Sequence, residues 1–197
     1  MNDDHTPDSH SSKPDPSPPL PRTMAAHLAR VFAEVRTGRL VLRRPDAGDT
    51  RAMFRVHSDP ETNRYNPFGA DPDLAASEAT LCEWLAQWQA DGCGYWAVTL
   101  PPATDVVGFG GVRRIAWRDR DVLNLYYKLV PTIWRRGYAT ELARAAVDVA
   151  QFHLPHVPVI ARTRPDNVAS ARTAERAGLL RWPDLDTAEH LVFALGW

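Results

Sequence analysis

A junction between a strand and a helix, at residues 129–140, constrains the fold of this chain more than any other segment does. An apolar or aromatic residue stands at positions 123, 125, 127 and 129, which predicts a strand with one buried face. From 142 to 152 the apolar residues fall at helical spacing instead. The basic segment 135–140 therefore lies where a strand passes into a helix.

The segment 135–140 reads Arg-Arg-Gly-Tyr-Ala-Thr and has the chemistry of an anion site. The first N–H groups of a helix have no partner within the helix and carry the positive end of its dipole. Gly137 and Ala139 allow a ligand to approach the backbone, while Arg135 and Arg136 add positive charge, which together predict a pyrophosphate cradle. The segment lacks the signatures of the P-loop and of the dinucleotide fingerprint, so an exposed loop with a solvated charge pair is the alternative.

The composition limits the class of protein further. A chain of 197 residues with 23 basic and 24 acidic side chains predicts one globular domain with a tail, without general affinity for nucleic acid or membrane surfaces. No apolar run approaches the roughly 18 residues of a membrane span, and no signal pattern begins the chain. Cys82 and Cys93 match no metal spacing and indicate a reducing, cytoplasmic setting. Pro155 separates His153 from His156, so we expect no metal.

The chain divides into three parts. Residues 1–22 are rich in proline, serine and aspartate and are expected to form a disordered or extended tail. Residues 23–36 place their apolar side chains on one helical face, which predicts an extra helix that packs on the domain or forms a dimer contact. Residues 37–197 form the main domain, and a monomer and a homodimer are both compatible with the pattern.

The main domain is predicted to be a mixed α/β structure. The predicted order is a strand at 39–43, helices at 46–58 and 74–91, three antiparallel strands at 95–100, 106–117 and up to 129, a helix to about 153, a strand at 157–163, a helix at 167–177, and strands at 179–182 and 190–197. Glycines 108, 110 and 111 indicate a bulge or the close approach of another backbone within the second of the three antiparallel strands.

Three separated motifs carry a family resemblance. They are Arg-Leu-Val-Leu-Arg at 39–43 followed by Ser-Asp-Pro-Glu at 58–61, Trp-Arg-Arg-Gly-Tyr-Ala-Thr-Glu at 134–141, and Asn-Val-Ala-Ser at 167–170 followed by Glu-Arg-Ala-Gly at 175–178. With the element order, they resemble the GNAT acetyltransferase superfamily, and within it the RimJ/RimL-like branch, which includes N-terminal acetylases of ribosomal proteins. Trp134 stands where the superfamily usually has Arg or Gln, a variant typical of that branch. The resemblance implies a mostly antiparallel, twisted sheet with one splayed parallel strand pair, flanked by helices.

The resemblance also implies acetyl-CoA as the cosubstrate. Backbone groups of Leu129 and Val130 are then expected to hold the pantetheine arm and to polarise the thioester. The pyrophosphate is expected on the backbone of Arg135, Arg136, Gly137, Tyr138, Ala139 and Thr140. Asn167 is expected to reach the CoA arm, with a pure helix-capping role as the alternative.

The acid and the base are less well defined by the resemblance. Ala174 stands where many members carry a tyrosine acid, so Ser170 is the candidate acid, unless its hydroxyl only bonds to backbone. Asn124 stands where many relatives carry a glutamate base. Glu141 is the nearest acid to the cradle and is the candidate base, although it would also favour the helix dipole there. Other candidates near the last strand are Asp186, Glu189 and His190, and no base is needed if the amine arrives deprotonated.

The acceptor pocket is expected to be lined by Tyr65, Asn66 and Phe68 in a loop, and by Asn124 and Tyr126 on the strand. The predicted function is transfer of an acetyl group to a primary amine, either a protein N-terminus or a small molecule. A transferase for a longer acyl group and a non-catalytic CoA-binding module are the alternatives.

Overall fold

The computed structural model describes residues 19–197, so most of the predicted tail lies outside the described residues. The helices are α1 (Arg22–Val31), α2 (Thr50–His57), α3 (Leu74–Asp91), α4 (Tyr138–His153) and α5 (Val168–Arg176). The strands are β1 (Glu34–Arg36), β2 (Val41–Arg43), β3 (Tyr95–Thr99), β4 (Val106–Trp117), β5 (Arg120–Leu129), β6 (Val159–Thr163), β7 (Leu180–Arg181) and β8 (Leu191–Leu195). Short 3₁₀ turns lie at Ala47–Asp49, Pro131–Ile133 and Pro183–Leu185.

The strands form a single sheet in the order β1-β2-β3-β4-β5-β6-β8-β7. Neighbouring strands are antiparallel except β5 and β6, which are parallel. The parallel pair is in register only where Leu123 faces Val159 and Asn124 faces Ile160. Beyond that point β5 stays with β4 and β6 stays with β8, so the two strands diverge. The predicted α/β fold with one splayed parallel pair is confirmed.

The N-terminal helix is shorter than predicted. It ends at Val31, and part of the segment 23–36 forms β1, which pairs antiparallel with β2. The backbone N–H of Arg44 donates to the carbonyl of Ala33 at 2.8 Å and aligns β1 with the sheet. The apolar spacing in this segment suits a helix face and a short edge strand equally well, because both put Val35 on the side that faces the domain.

Helix α1 packs on the domain through its C-terminal end. The indole N–H of Trp96 donates to the carbonyl of Phe32 at 2.7 Å, and the two rings stack with centroids 5.5 Å apart. Gly92 ends α3 with a φ of +72°, and a Cβ there would lie only 2.0 Å from the carbonyl oxygen of Ala25. The close approach of α1 to α3 therefore requires glycine at this position.

Helices cover both faces of the sheet near its centre. On one face α4 packs on β4 and β5 and contacts α5, while on the other α2 packs on β4 and lies against α3. A Cβ added to Gly110 would lie 2.5 Å from Leu142 Cδ2 and 2.7 Å from the carbonyl oxygen of Tyr126. The predicted close approach at this glycine is therefore confirmed, and it lets α4 pack closely on β4.

Candidate active site

β5 and β6 diverge, and the sheet opens between them. Neighbouring strands in a sheet are normally hydrogen-bonded along their length, but these two are paired at only one end. The N–H of Leu123 still donates to the carbonyl of Pro158 at 2.8 Å, and the paired register ends one residue later. Backbone groups of β5 beyond this point that face β6 have lost their strand partner. The opening therefore offers donors and acceptors of the main chain to a bound molecule.

Leu129 presents its backbone to this opening, and Val130 does not. The N–H of Val130 donates to the carbonyl of Val107 at 2.9 Å, and its carbonyl accepts from the N–H of Ile133 at 3.3 Å. Because hydrogen-bonded pairs alternate in an antiparallel ladder, the N–H and the carbonyl of Leu129 point away from β4. The indole N–H of Trp134 donates to that carbonyl at 2.7 Å, which leaves the N–H of Leu129 as the group that faces the opening.

The segment after Trp134 turns sharply into α4. Arg135 has a φ of +61° and Gly137 a φ of +81°, and Gly137 is the residue from which the helix begins. No side chain caps this end, and the first bond within the helix runs from the N–H of Glu141 to the carbonyl of Gly137 at 3.0 Å. The N–H groups of Tyr138, Ala139 and Thr140 therefore lie at the positive end of a 16-residue helix without an intrahelical partner.

Glu141 anchors this cradle to the loop between β1 and β2. Its carboxylate accepts from Thr37 Oγ1 at 2.6 Å, from the backbone N–H of Arg39 at 2.8 Å and from Arg39 Nε at 2.7 Å. Burial raises the pKa of Glu141, but the hydrogen bonds from Thr37 and Arg39 outweigh burial and hold the pKa below its usual value. These contacts give Glu141 a structural part and do not support its prediction as a base.

Arg39 completes the anchor. Its guanidinium donates to the carbonyl of Arg136 at 2.9 Å and lies 4.5 Å from the ring centroid of Tyr138. Arg136 itself is exposed, as is Arg135, so both charges face solvent at the edge of the cradle. The sequence alone did not indicate Arg39 as part of this site, because its partners lie about a hundred residues further along the chain.

The start of α5 faces the opening from the other side. Asn167 caps α5, since its side-chain oxygen accepts from the N–H of Ser170 at 3.1 Å. The capping role considered for Asn167 is therefore confirmed, and contact with CoA stays a prediction. Ser170 Oγ lies 2.9 Å from the hydroxyl of Tyr127 on β5, which also donates to the carbonyl of Ser170 at 3.0 Å.

Tyr127 thus bridges β5 and α5 across the divergence, and the sequence did not single it out for a role in the site. Burial raises the pKa of Tyr127 to about 12, although hydrogen bonds with Ser170 and Thr173 act in the opposite direction. The phenol therefore keeps its proton at neutral pH. In the sequence, Tyr127 alternates with Leu125 and Leu129, a pattern that indicates a buried strand face. This pattern gives no signal that the hydroxyls of Tyr127 and Ser170 meet.

The other face of β5 carries the predicted acceptor residues. Asn124 donates to the hydroxyl of Tyr95 at 2.7 Å, and the hydroxyl of Tyr126 lies 3.0 Å from His57 Nε2. The rings of Tyr95 and Tyr126 are tilted against each other with centroids 4.8 Å apart. Both strand residues predicted for the acceptor pocket therefore lie on one polar, aromatic surface.

The predicted loop residues lie differently. The amide of Asn66 donates to the carbonyl of Gly69 at 2.5 Å and holds its own loop, while the ring of Phe68 is 64% exposed. Tyr65 lies beside Arg64, whose guanidinium is 5.7 Å from its ring centroid. The loop reaches β5 instead through Asn63, a residue that sequence reasoning missed.

Asn63, His57 and Lys128 form a polar cluster beside Tyr126. Lys128 Nζ donates to Asn63 Oδ1 at 2.5 Å, and Asn63 Nδ2 donates to the carbonyl of His57 at 2.6 Å. Burial and then the Lys128 charge lower the pKa of His57 to about 3, so the imidazole is neutral at physiological pH. Burial also lowers the pKa of Lys128 to about 8, although the carboxylate of Asp71 opposes the shift.

A family model described as the acetyltransferase (GNAT) domain matches residues 39–180, well over half of the chain. This chain belongs to the GNAT acetyltransferase family. The resemblance predicted from the three motifs is therefore confirmed at the level of the family, and with it the expectation that the protein is an N-acetyltransferase. The RimJ/RimL-like branch stays a prediction.

Individual GNAT relatives agree with this assignment. The chain is 24% identical over 148 residues to the uncharacterized N-acetyltransferase YoaA of Bacillus subtilis, over 75% of this chain and 83% of YoaA. An acetyltransferase structure from Agrobacterium tumefaciens has a TM-score of 0.70 and 27% identity, over 82% of this chain and 93% of that one. A Vibrio cholerae structure, whose proposed activity is that of a ribosomal-protein-serine acetyltransferase, shares the fold with a TM-score of 0.64 and 19% identity, over 82% of this chain and 96% of that one.

Two further features of this GNAT domain concern metals and membranes. Within residues 19–197, no group of three or more His, Cys, Asp or Glu side chains lies close enough together to hold a metal ion. None of the helices in the same range combines the length and the apolar character needed to cross a bilayer.

Proposed function

We propose that the protein binds acetyl-CoA in the opening between β5 and β6 and transfers the acetyl group directly to a primary amine. The observation that carries this proposal is the uncapped N-terminus of α4, which follows the end of β5 that has diverged from β6. The pyrophosphate would bind to the N–H groups of Tyr138, Ala139 and Thr140, with Arg135 and Arg136 adding charge from the exposed edge. Together these groups form the kind of anion site that helix N-termini provide.

The pantetheine arm would then extend along β5 and bring the thioester to Leu129. The N–H of Leu129, which points away from β4, would donate to the thioester carbonyl and stabilise the oxyanion that forms during attack. The amine nitrogen forms a bond to the acetyl carbon, the bond between carbon and sulfur breaks, and CoA leaves as a thiolate. A fixed backbone donor does not reorient during this step, which makes it effective.

Ser170 would protonate the leaving thiolate. Its hydroxyl is 2.9 Å from the hydroxyl of Tyr127, which keeps its proton because its pKa is raised to about 12. The phenol O–H of Tyr127 donates to the carbonyl of Ser170 at 3.0 Å, and by turning to Ser170 Oγ it would replace a proton that Ser170 has given up. This pair would supply the acid function that Ala174 cannot.

Neither His57 nor Glu141 is well suited to act as a general base. The imidazole of His57 is held neutral but with a pKa of about 3, so it accepts protons weakly. Glu141 is fully engaged by Thr37 and Arg39 on the other side of the sheet. We infer that the amine arrives in its neutral form and that positioning supplies most of the rate. The rate should then rise with pH up to the pKa of the acceptor amine.

Release of free thiol from acetyl-CoA tests the proposal. The protein is incubated with acetyl-CoA and a panel of small amines and peptides with free N-termini, and the CoA thiol is measured. Turnover with at least one acceptor is expected, together with tight binding of CoA by calorimetry. Propionyl-CoA and octanoyl-CoA, assayed in parallel, establish whether a longer acyl group is used. Tight CoA binding without turnover on any acceptor would favour a non-catalytic CoA-binding protein.

Arg135→Gln/Arg136→Gln, a double variant, tests where the cofactor binds. Both side chains are exposed and their removal should leave the fold unchanged, whereas the dissociation constant for CoA should rise because two charges beside the pyrophosphate are lost. Arg30→Gln, at an exposed position of α1, serves as the matched control for loss of a surface charge. Equal CoA affinity in both proteins would contradict the proposed cradle.

A further inference from the structure

Arg113 and Arg162 lie on the acceptor face of the sheet beside the divergence of β5 and β6. Arg113 on β4 faces Asn124 on β5, and Asn124 in turn faces Ile160 on β6. Arg162 follows Ile160 by two residues and therefore projects to the same face. The register thus places two arginines on one surface with Asn124 and Tyr126, on opposite sides of β5.

Among residues 19–197, neither arginine forms an ion pair with a carboxylate. The Nε of each is buried and has no hydrogen-bond acceptor among residues 19–197. The guanidinium of Arg113 lies 5.3 Å from the ring centroid of Tyr95, a contact that satisfies no N–H group. By contrast Arg114, which projects to the opposite face, forms ion pairs with both Asp91 and Asp121. Within the described part of the chain, one of two adjacent arginines therefore has carboxylate partners and the other has none.

The charges on this face leave a positive region around the two arginines. Burial lowers the pKa of Arg162, the Tyr95 phenol opposes that shift, and the charge of Arg113 adds to it, as expected for two cations close to each other. Asp71, whose charge acts on Tyr126, accepts from Ser77 Oγ at 2.5 Å. The charge of Asp71 also acts on Lys128, at the other end of the face, where it opposes the lowering of that amine's pKa by burial.

Two half-buried guanidinium groups that have no carboxylate partner among residues 19–197 are suited to bind an anion. Guanidinium forks match the geometry of carboxylate and phosphate groups, and their hydrogen bonds to such anions are among the strongest in proteins. A buried Nε without a partner has lost its bonds to water, and a bound anion would restore them. The same face carries the residues predicted for the acceptor, so the anion would belong to the acceptor rather than to the cofactor.

We propose that the acceptor is an amine that also carries a carboxylate or phosphate group, which Arg113 and Arg162 bind while the amine reaches the thioester. This inference rests on the proposed acetyl transfer and adds the class of acceptor. Neutral and purely cationic amines lack the group that the arginine pair holds. They are therefore poor acceptors for this enzyme.

The test compares acceptors that differ only in the anionic group. L-Leucine is paired with L-leucinamide, and phosphoethanolamine with ethanolamine, and the pH is set so that the free-amine fraction is equal within each pair. The kcat/KM of the anionic member should exceed that of the neutral member at least tenfold in one pair. The pair that shows the preference distinguishes a carboxylate from a phosphate ligand. Equal kcat/KM within both pairs would overturn the inference.

Arg113→Gln and Arg162→Gln test whether the two arginines carry the preference. Each variant should lower kcat/KM for the anionic acceptor at least tenfold relative to the wild type. The kcat/KM for the neutral acceptor and the KM for acetyl-CoA should both stay within twofold of the wild-type values. The exposed Arg30→Gln on α1 should leave all these values unchanged. A rise in the KM for acetyl-CoA alone would show that the arginines bind the cofactor, and equal losses with both acceptors would show a structural role. Either result contradicts the inference.

A binding measurement separates this inference from the proposed activity. Calorimetry with the same four amines in the presence of CoA requires no turnover. If no amine is acetylated but an anionic amine binds and Arg162→Gln abolishes its binding, the acetyl transfer fails and the anion site stands. If acetylation occurs but the anionic and neutral amines bind equally well, the transfer stands and the anion site is refuted.

Discussion

Replacement of Gly137 by valine tests the pyrophosphate cradle most directly. The residue has a φ of +81°, and a Cβ built on it would have Arg39 Nη2, at 3.5 Å, as its nearest neighbour. A side chain therefore fits the protein without cofactor, and the main effect on stability comes from backbone strain. A non-glycine residue in this conformation costs about 1–2 kcal/mol, so the free energy of unfolding should fall by about that amount.

Acetyl-CoA binding should be weakened much more than folding. The pyrophosphate oxygens have to come within about 3 Å of the N–H groups of Tyr138, Ala139 and Thr140, and the valine side chain, at the N-cap directly before them, should hinder that approach. Loss of two hydrogen bonds to a charged group, at about 1.5–3 kcal/mol each, amounts to about 3–6 kcal/mol. At 1.4 kcal/mol for each factor of ten, the dissociation constant for CoA should rise by about 10²- to 10⁴-fold.

The assay is calorimetric titration of CoA into the wild type and two valine variants, with urea unfolding of each. Gly178→Val is the matched control, because Gly178 has a φ of +95° and no atom lies within 4 Å of a Cβ built there. Both variants should lose similar stability, and only Gly137→Val should lose CoA affinity. Wild-type affinity in Gly137→Val, or an equal loss in Gly178→Val, would refute the cradle.

Three other substitutions give separate outcomes. Ser170→Ala should lower kcat at least about tenfold with little change in the KM for acetyl-CoA, as for loss of a general acid, and an unaltered kcat would leave Ser170 a structural role. Glu141→Gln should cost about 2 kcal/mol at pH 7 by urea unfolding. Because bonds from Arg39 and its neighbours lower the folded pKa of Glu141, this difference should be present above pH 4.5, the usual value, and disappear as the pH falls through the folded pKa. A pH-independent difference would contradict that account. Gly110→Ala should destabilise the protein by about 1–3 kcal/mol, because its Cβ would meet Leu142 at 2.5 Å, and unchanged stability would show that α4 can shift.

Elements with a long, regular pattern were predicted with their correct bounds. Helix α3 was expected at 74–91 and strand β4 at 106–117, and both are found there. In α3 the side chain of Asp73 accepts from the N–H of Ala76, and Gly92 ends the helix in the left-handed conformation. Local signals at both ends agree with the apolar stripe between them, so no tertiary information was required.

Short elements were predicted less well. β1 has three residues, and the sequence predicts a helix there because its one inward-facing residue, Val35, fits both patterns. The helix predicted at 46–58 is divided into a 3₁₀ turn and α2. Asp49 at this division is buried and binds the guanidinium of Arg43 through two bonds, at 2.6 and 2.8 Å. Contacts with neighbouring strands decided both outcomes, and such contacts leave no periodic trace in the sequence.

The backbone of the cradle could be predicted from the sequence, whereas the side chains that meet around it could not. The sequence by itself determined the junction at residues 129–140, because a strand, a glycine and the first turn of a helix are consecutive along the chain and their backbone groups need no distant partner. The meeting of Tyr127 with Ser170, 43 residues apart, follows from the tertiary structure alone, as does the placement of Arg113 and Arg162 on one face. Strand register and helix packing set these distances, and a single sequence records neither.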